Sequence, residues 1–65
     1  MKRKEFVSYV ASLVSKVARD KIEDIDPEFN VLSYYDEGMD LDDQVTCANM
    51  AAAEVLSENG YINMG

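Results

Sequence analysis

A single proline, Pro27, divides this chain. Proline has no backbone N–H and clashes with the preceding turn, so it is excluded from a helix interior but tolerated at a helix's first position. Asp26 before it is a good N-cap, and Glu28 after it suits the positive end of a helix dipole. Asp26-Pro27-Glu28 therefore reads as a helix start, and everything upstream must belong to a separate element.

Upstream, Phe6, Val10, Leu13, Val14 and Val17 recur at the 3–4 spacing of one helical face, with Val7 and Ala18 at its margin. Lys4, Ser8, Ser12, Ser15, Lys16, Arg19 and Glu23 share the opposite face. This predicts a first helix over residues 2–23, held by packing because its β-branched residues lower its intrinsic propensity. Downstream of the proline, Phe29, Leu32 and Tyr35 form a stripe that Gly38 can end in a left-handed conformation, which predicts a short second helix over residues 27–36. Asp40 followed by Asp43 opens a third helix as a weak capping box. Its core face is Leu41, Val45, Ala48, Ala52 and Val55, with Leu56 alongside. Asn59-Gly60 stops it, so that Tyr61 and Ile62 can fold back over the helix ends. Residues 61–65 are expected to form at most a short extended piece. The predicted fold is all-α, a small three-helix bundle of a long, a short and a long helix in one domain spanning residues 1–65.

Sixty-five residues bury little core, and the usual staples of small domains are missing. One Cys cannot form an internal disulfide, and there is no His to complete a zinc site. At 48% hydrophobic residues the chain is nevertheless too apolar for a disordered tail. Stabilisation by dimerisation or by a partner is the expectation. The lone thiol points to a reducing cytoplasm, no apolar run is long enough to span a membrane, and Ser8, Ser12, Ser15 and Lys16 spoil any signal-peptide core.

Charge is sharply segregated. Residues 1–21 hold all six bases and two acids, net +4, whereas residues 22–65 hold eleven acids and no base, net −11, giving −7 for the chain. Such a surface attracts a basic protein and repels nucleic acid, so no direct nucleic-acid binding is expected. Five acids (Asp26, Glu28, Asp40, Asp42 and Asp43) sit at predicted helix starts, where each contributes about 0.3–1 kcal/mol. Asp20, Glu23, Asp24, Asp36, Glu37 and Glu58 fall instead at predicted helix C-termini, against the dipole, which suggests another constraint, either solubility or a binding surface.

The third helix carries a second face, Asp43, Cys47, Met50 and Glu54, flanked by Ala51 and Ala53. Met adapts to varied partners and Ala permits close approach, so two carboxylates bracketing a Met/Ala patch read as a contact face. Tyr34 is expected to point away from the core, beside Asp36 and Glu37, as an interface anchor. The predicted partner-binding set is thus Glu23, Asp24, Tyr34, Asp36, Glu37, Asp43, Met50, Glu54 and Glu58.

No catalytic site is expected. There is no His to act as general base, and Cys47 has no cation near it in sequence to activate its thiol. No cofactor or metal is expected either: a calcium loop begun at Asp24 puts Phe29 where Gly is needed and Tyr35 where Glu is needed. In size and charge alone the chain resembles virus-encoded inhibitors of host or defence machinery. That likeness implies an acidic inhibitor or adaptor whose carboxylates stand in for phosphates on a nucleic-acid-handling protein, acting in the host cytoplasm. The alternative is a homo-oligomeric assembly or regulatory module with the Ala/Met face as its dimer seam.

Overall fold

The computed structural model describes residues 1–63; the end of the tail, for which an extended piece was expected, lies outside them. Among the described residues the chain is all-helical without strands, a small bundle in which two long helices pack against each other and short turns fill the space between. The long helices are α1 (Arg3–Ala18) and α3 (Leu41–Glu58). Between them lie one turn of helix, α2 (Ile22–Ile25), and a 3-10 turn over Val31–Tyr34. No helix among the described residues is long and apolar enough to cross a membrane.

α3 begins and ends as its sequence dictates. The Asp40 carboxylate accepts the Asp43 N–H at 2.9 Å, satisfying one of the orphan donors of the first turn. At the other end Gly60 takes a left-handed φ of 78°, and the Tyr61 N–H returns to the Leu56 carbonyl at 2.8 Å. Tyr61 thereby folds back over the helix end, and Ile62 packs against the core.

The first helix is shorter than its periodicity suggests. It stops at Ala18, and Arg19 adopts a left-handed φ of 61° while its N–H closes on the Ser15 carbonyl at 2.9 Å. A straight helix over residues 2–23 would run about 33 Å, against about 27 Å for the 18 residues of α3, and its last turn would have nothing to pack on. Breaking at Arg19 turns the chain back and buries Ile22. Arg19 and Glu23 consequently no longer share a helical face.

The predicted α-helix over residues 27–36 does not form. Asp26 is the C-cap of α2 rather than an N-cap, and its carbonyl accepts the Phe29 N–H at 3.1 Å across a turn with Pro27 in its second position. Only the Val31–Tyr34 segment is helical, capped by Asn30, whose side chain accepts the Leu32 N–H at 3.2 Å. The turn buries Val31 and leaves Leu32 39% exposed, so Leu32 is not the core residue its spacing implied. Gly38 lacks the left-handed φ expected of it, and the Asp36 carboxylate accepts its N–H at 2.9 Å in a local side-chain turn.

The core joins Phe6, Val10 and Val14 of α1 to Ala48, Ala51, Ala52, Val55 and Leu56 of α3, closed by Ile22 and Val31. The alanines let α1 approach closely. On the long helices two further expected core positions are surface: Val17 is 49% and Leu41 59% exposed. The 3-10 turn packs on the Val7 and Ala11 side of α1, which shifts the covered stripe away from Val17.

One polar device went unnoticed in the sequence. Gln44 is 3% exposed; its Oε1 accepts from the Met1 α-ammonium, and its Nε2 donates to the Asp36 carbonyl at 3.1 Å. The Tyr35 hydroxyl donates to the Met1 carbonyl at 2.8 Å, and its ring lies 5.3 Å from that of Phe6. Start of α1, start of α3 and intervening connection are thus tied at one point.

Two substitutions test this architecture by urea denaturation. Arg19→Gly relieves a left-handed residue and should stabilise by up to about 1 kcal/mol, whereas glycine inside a continuous helix would cost about that much. Gln44→Leu takes the partner from the partly buried Met1 ammonium and from the Asp36 carbonyl and should cost about 1 kcal/mol.

Candidate functional site

Each acid acquires a position once the helix ends are known. Glu23 and Asp24 lie exposed in the single turn of α2, beyond the end of α1, so they do not face the C-terminal dipole of a long helix as expected. Asp36 and Glu37 are exposed in the connection to α3, where the Asp36 carboxylate has the structural task of holding Gly38. Asp43 is exposed in the first turn of α3. Glu58 closes the last turn of α3 and does face the negative end of the dipole.

The outer side of α3 carries an open groove of about 450 Å³ lined by Tyr34, Thr46, Asn49, Met50, Ala53 and Glu54. Three residues singled out from the sequence, Tyr34, Met50 and Glu54, therefore meet in one depression. Tyr34 is half-buried, its ring stacked on Phe29 at 5.9 Å, so it is a fixed wall rather than the freely projecting anchor expected. Met50, 57% exposed at the middle of α3, is the accessible apolar surface. Glu54, one turn further on, is half-buried and puts a carboxylate at the groove's edge.

The rest of the predicted face separates from this groove. Cys47 turns toward the connection, its Sγ 3.8 Å from the Met39 Sδ. Ala51, expected to flank the contact face, is buried in the core, as are Ala48 and Ala52. The alanines of α3 therefore serve mainly the intramolecular packing with α1, and only Ala53 lines the groove. Glu23, Asp24, Asp36, Glu37, Asp43 and Glu58 are exposed and do not line this depression.

Thr46 and Asn49 line the groove without having been noticed in the sequence, because polar residues on an exposed helix face carry no signal of their own. The Thr46 hydroxyl donates to the Asp42 carbonyl at 3.0 Å, which leaves its oxygen as an acceptor. Among the described residues no three of His, Cys, Asp and Glu are grouped so as to hold a metal ion.

An aromatic wall, a thioether, a methyl group and a peripheral carboxylate together match a long aliphatic stem with a cationic head. Lysine and arginine have that shape: the methylenes cover apolar surface while the charge reaches a carboxylate. The ring of Tyr34 adds a cation–π face. Comparison of the chain with protein-family models, curated proteins and solved structures found no match.

The assignment of Met50 to the surface and Ala51 to the core has a direct check. In urea denaturation Met50→Gln should change stability by no more than about 0.5 kcal/mol. Ala51→Leu, which overfills the contact between α1 and α3, should cost about 1–3 kcal/mol.

Proposed function

We propose that this chain is a small acidic protein-binding module, without catalytic activity, that engages a basic protein through a lysine or arginine seated in the α3 groove. The observation that carries this reading is the convergence of Tyr34, Met50 and Glu54 on one accessible depression. It lies within the 44 residues that contain eleven acids and no base. The groove supplies a place for one side chain; the surrounding carboxylates supply long-range attraction and orientation.

The partner chemistry that fits best is a surface evolved for phosphates. A nucleic-acid-handling protein presents lysines and arginines over an extended patch, and exposed carboxylates can stand in for the phosphates it normally meets. On this reading the module is an inhibitor or adaptor: it occupies a nucleic-acid surface without itself binding nucleic acid. Glu23, Asp24, Asp36, Glu37, Asp43 and Glu58 form the outlying charges, and Tyr34 and Met50 the anchors.

Capture from a cell lysate on the immobilised chain tests the proposal. The expected result is a basic partner retained at low salt and released as ionic strength approaches about 1 M, where the screening length falls to about 3 Å. Glu54→Lys should weaken retention by at least about tenfold, and Met50→Gln by less. Retention that ignores both salt and Glu54→Lys, or recovery of no basic protein at low salt, sinks this reading.

A further inference from the structure

A second surface, on the opposite side of the chain's charge map, points to a different partner. Two shallow depressions flank α1, one lined by Arg3, Lys4, Val7, Ser8 and Leu32, the other running from Val7 and Ala11 to Glu23, Asp26 and Leu32. Val7 and Leu32 belong to both, so the two form one continuous trough between α1 and the 3-10 turn. It shares no lining residue with the α3 groove.

The trough has an apolar middle and oppositely charged ends. Val7 and Ala11 are half-buried and Leu32 is 39% exposed, a large aliphatic side chain left facing water. One end belongs to residues 1–5, which carry three bases against one acid, net +2 in side chains. The other belongs to residues 19–28, which carry two bases against five acids, net −3. From Arg3 to Ala11 the helix rises about 12 Å, about one Debye length at ordinary salt, so the basic end is set apart along α1 from the depression that holds Glu23 and Asp26.

We propose that this trough is the interface of a homodimer, in which a two-fold axis near Val7 and Leu32 sets Arg3 and Lys4 of each copy against Glu23 and Asp26 of the other. A partner that satisfies both ends must present acid, apolar and base in the reverse order. The same surface rotated by 180° does so, because an isologous contact pairs residue i with j and j with i. Leu32 of each copy then covers the other's apolar middle, the area the monomer leaves wet. A wholly acidic or wholly basic partner would match one pole and be repelled by the other. The dimer would also add buried apolar area to a small core that no disulfide staples. The trough shares no lining residue with the α3 groove and draws on only Glu23 among the outlying charges, so the two proposals are tested by different variants.

Charge reversal on the full chain provides the test, read as the dimer dissociation constant by sedimentation equilibrium at low salt, with helicity checked by circular dichroism. Lys4 and Glu23 are both exposed, so either can be reversed without touching the core. Lys4→Glu and Glu23→Lys should each weaken the dimer by about tenfold or more, since each places two like-charge contacts in a symmetric interface. Mixing the two variants in equal amounts should restore wild-type affinity to within about threefold, because the heterodimer recovers both opposite-charge contacts. Leu32→Glu should weaken the dimer by about tenfold or more, while Met50→Glu should not. The proposal is overturned if the wild-type chain stays monomeric at its highest soluble concentration. It is equally overturned if the reversals leave dimerisation unchanged, if the mixture fails to recover, or if Met50→Glu rather than Leu32→Glu separates the subunits.

Discussion

Everything in this molecule hangs on the contact between α1 and α3. Phe6, Val10 and Val14 supply the bulk, and Ala48, Ala51 and Ala52 supply the close approach. Neither set would suffice alone. A face of alanines buries little area, and the valines of α1 form a helix of modest propensity that needs packing to persist. Ile22 and Val31 then seal the sides from segments that are scarcely helical, so the bundle is two helices with a fitted connection more than three equal partners. Gln44 adds direction to an otherwise non-directional core. By bonding the Met1 ammonium and the Asp36 carbonyl at once, it fixes where α1 starts relative to α3.

The connection also decides which acids mean something. When a helix ends at Ala18 instead of residue 23, Glu23 and Asp24 no longer sit at the unfavourable C-terminus of a long helix but in a separate single turn. Asp36 acquires a backbone partner in Gly38. Misplaced charge is therefore a weaker sign of function here than the grouping of unlike chemistries. Tyr34, Met50 and Glu54 form a groove, and Arg3, Lys4, Leu32 and Glu23 a trough, each with an apolar surface and a charge that no single helix face would display.

Legibility followed the strength of the local signal. Asp40 as a cap, Asn59-Gly60 as a stop, and the Phe6, Val10, Val14 stripe are local or strictly periodic, and the structure holds them where the spacing places them. The end of α1 was not legible, because its left-handed residue is Arg19, and arginine advertises no such conformation. The connection is not legible as such, because Phe29, Leu32 and Tyr35 fit a helical stripe as well as a folded-back segment; the Asp26–Phe29 turn separates the two. Within the groove, Met50 and Glu54 could be read from their spacing along α3. Thr46 and Asn49 could not, since an exposed polar helix residue looks the same whether or not it borders a depression.

The two halves of the core are far apart in the chain. Every residue of α1 that enters it must find α3 across the segment 19–40, which has one helical turn and one 3-10 turn of its own. A helix of 16 residues rich in Val and Ser is close to the length below which isolated helices are marginal in water. The entropy of closing that loop is therefore met before the contacts that reward it exist. α1 alone is therefore not expected to persist as a platform for α3 to dock on. Secondary and tertiary structure should consequently appear together in one cooperative step, and a ribosome-bound chain stays unfolded until α3 has emerged to meet α1.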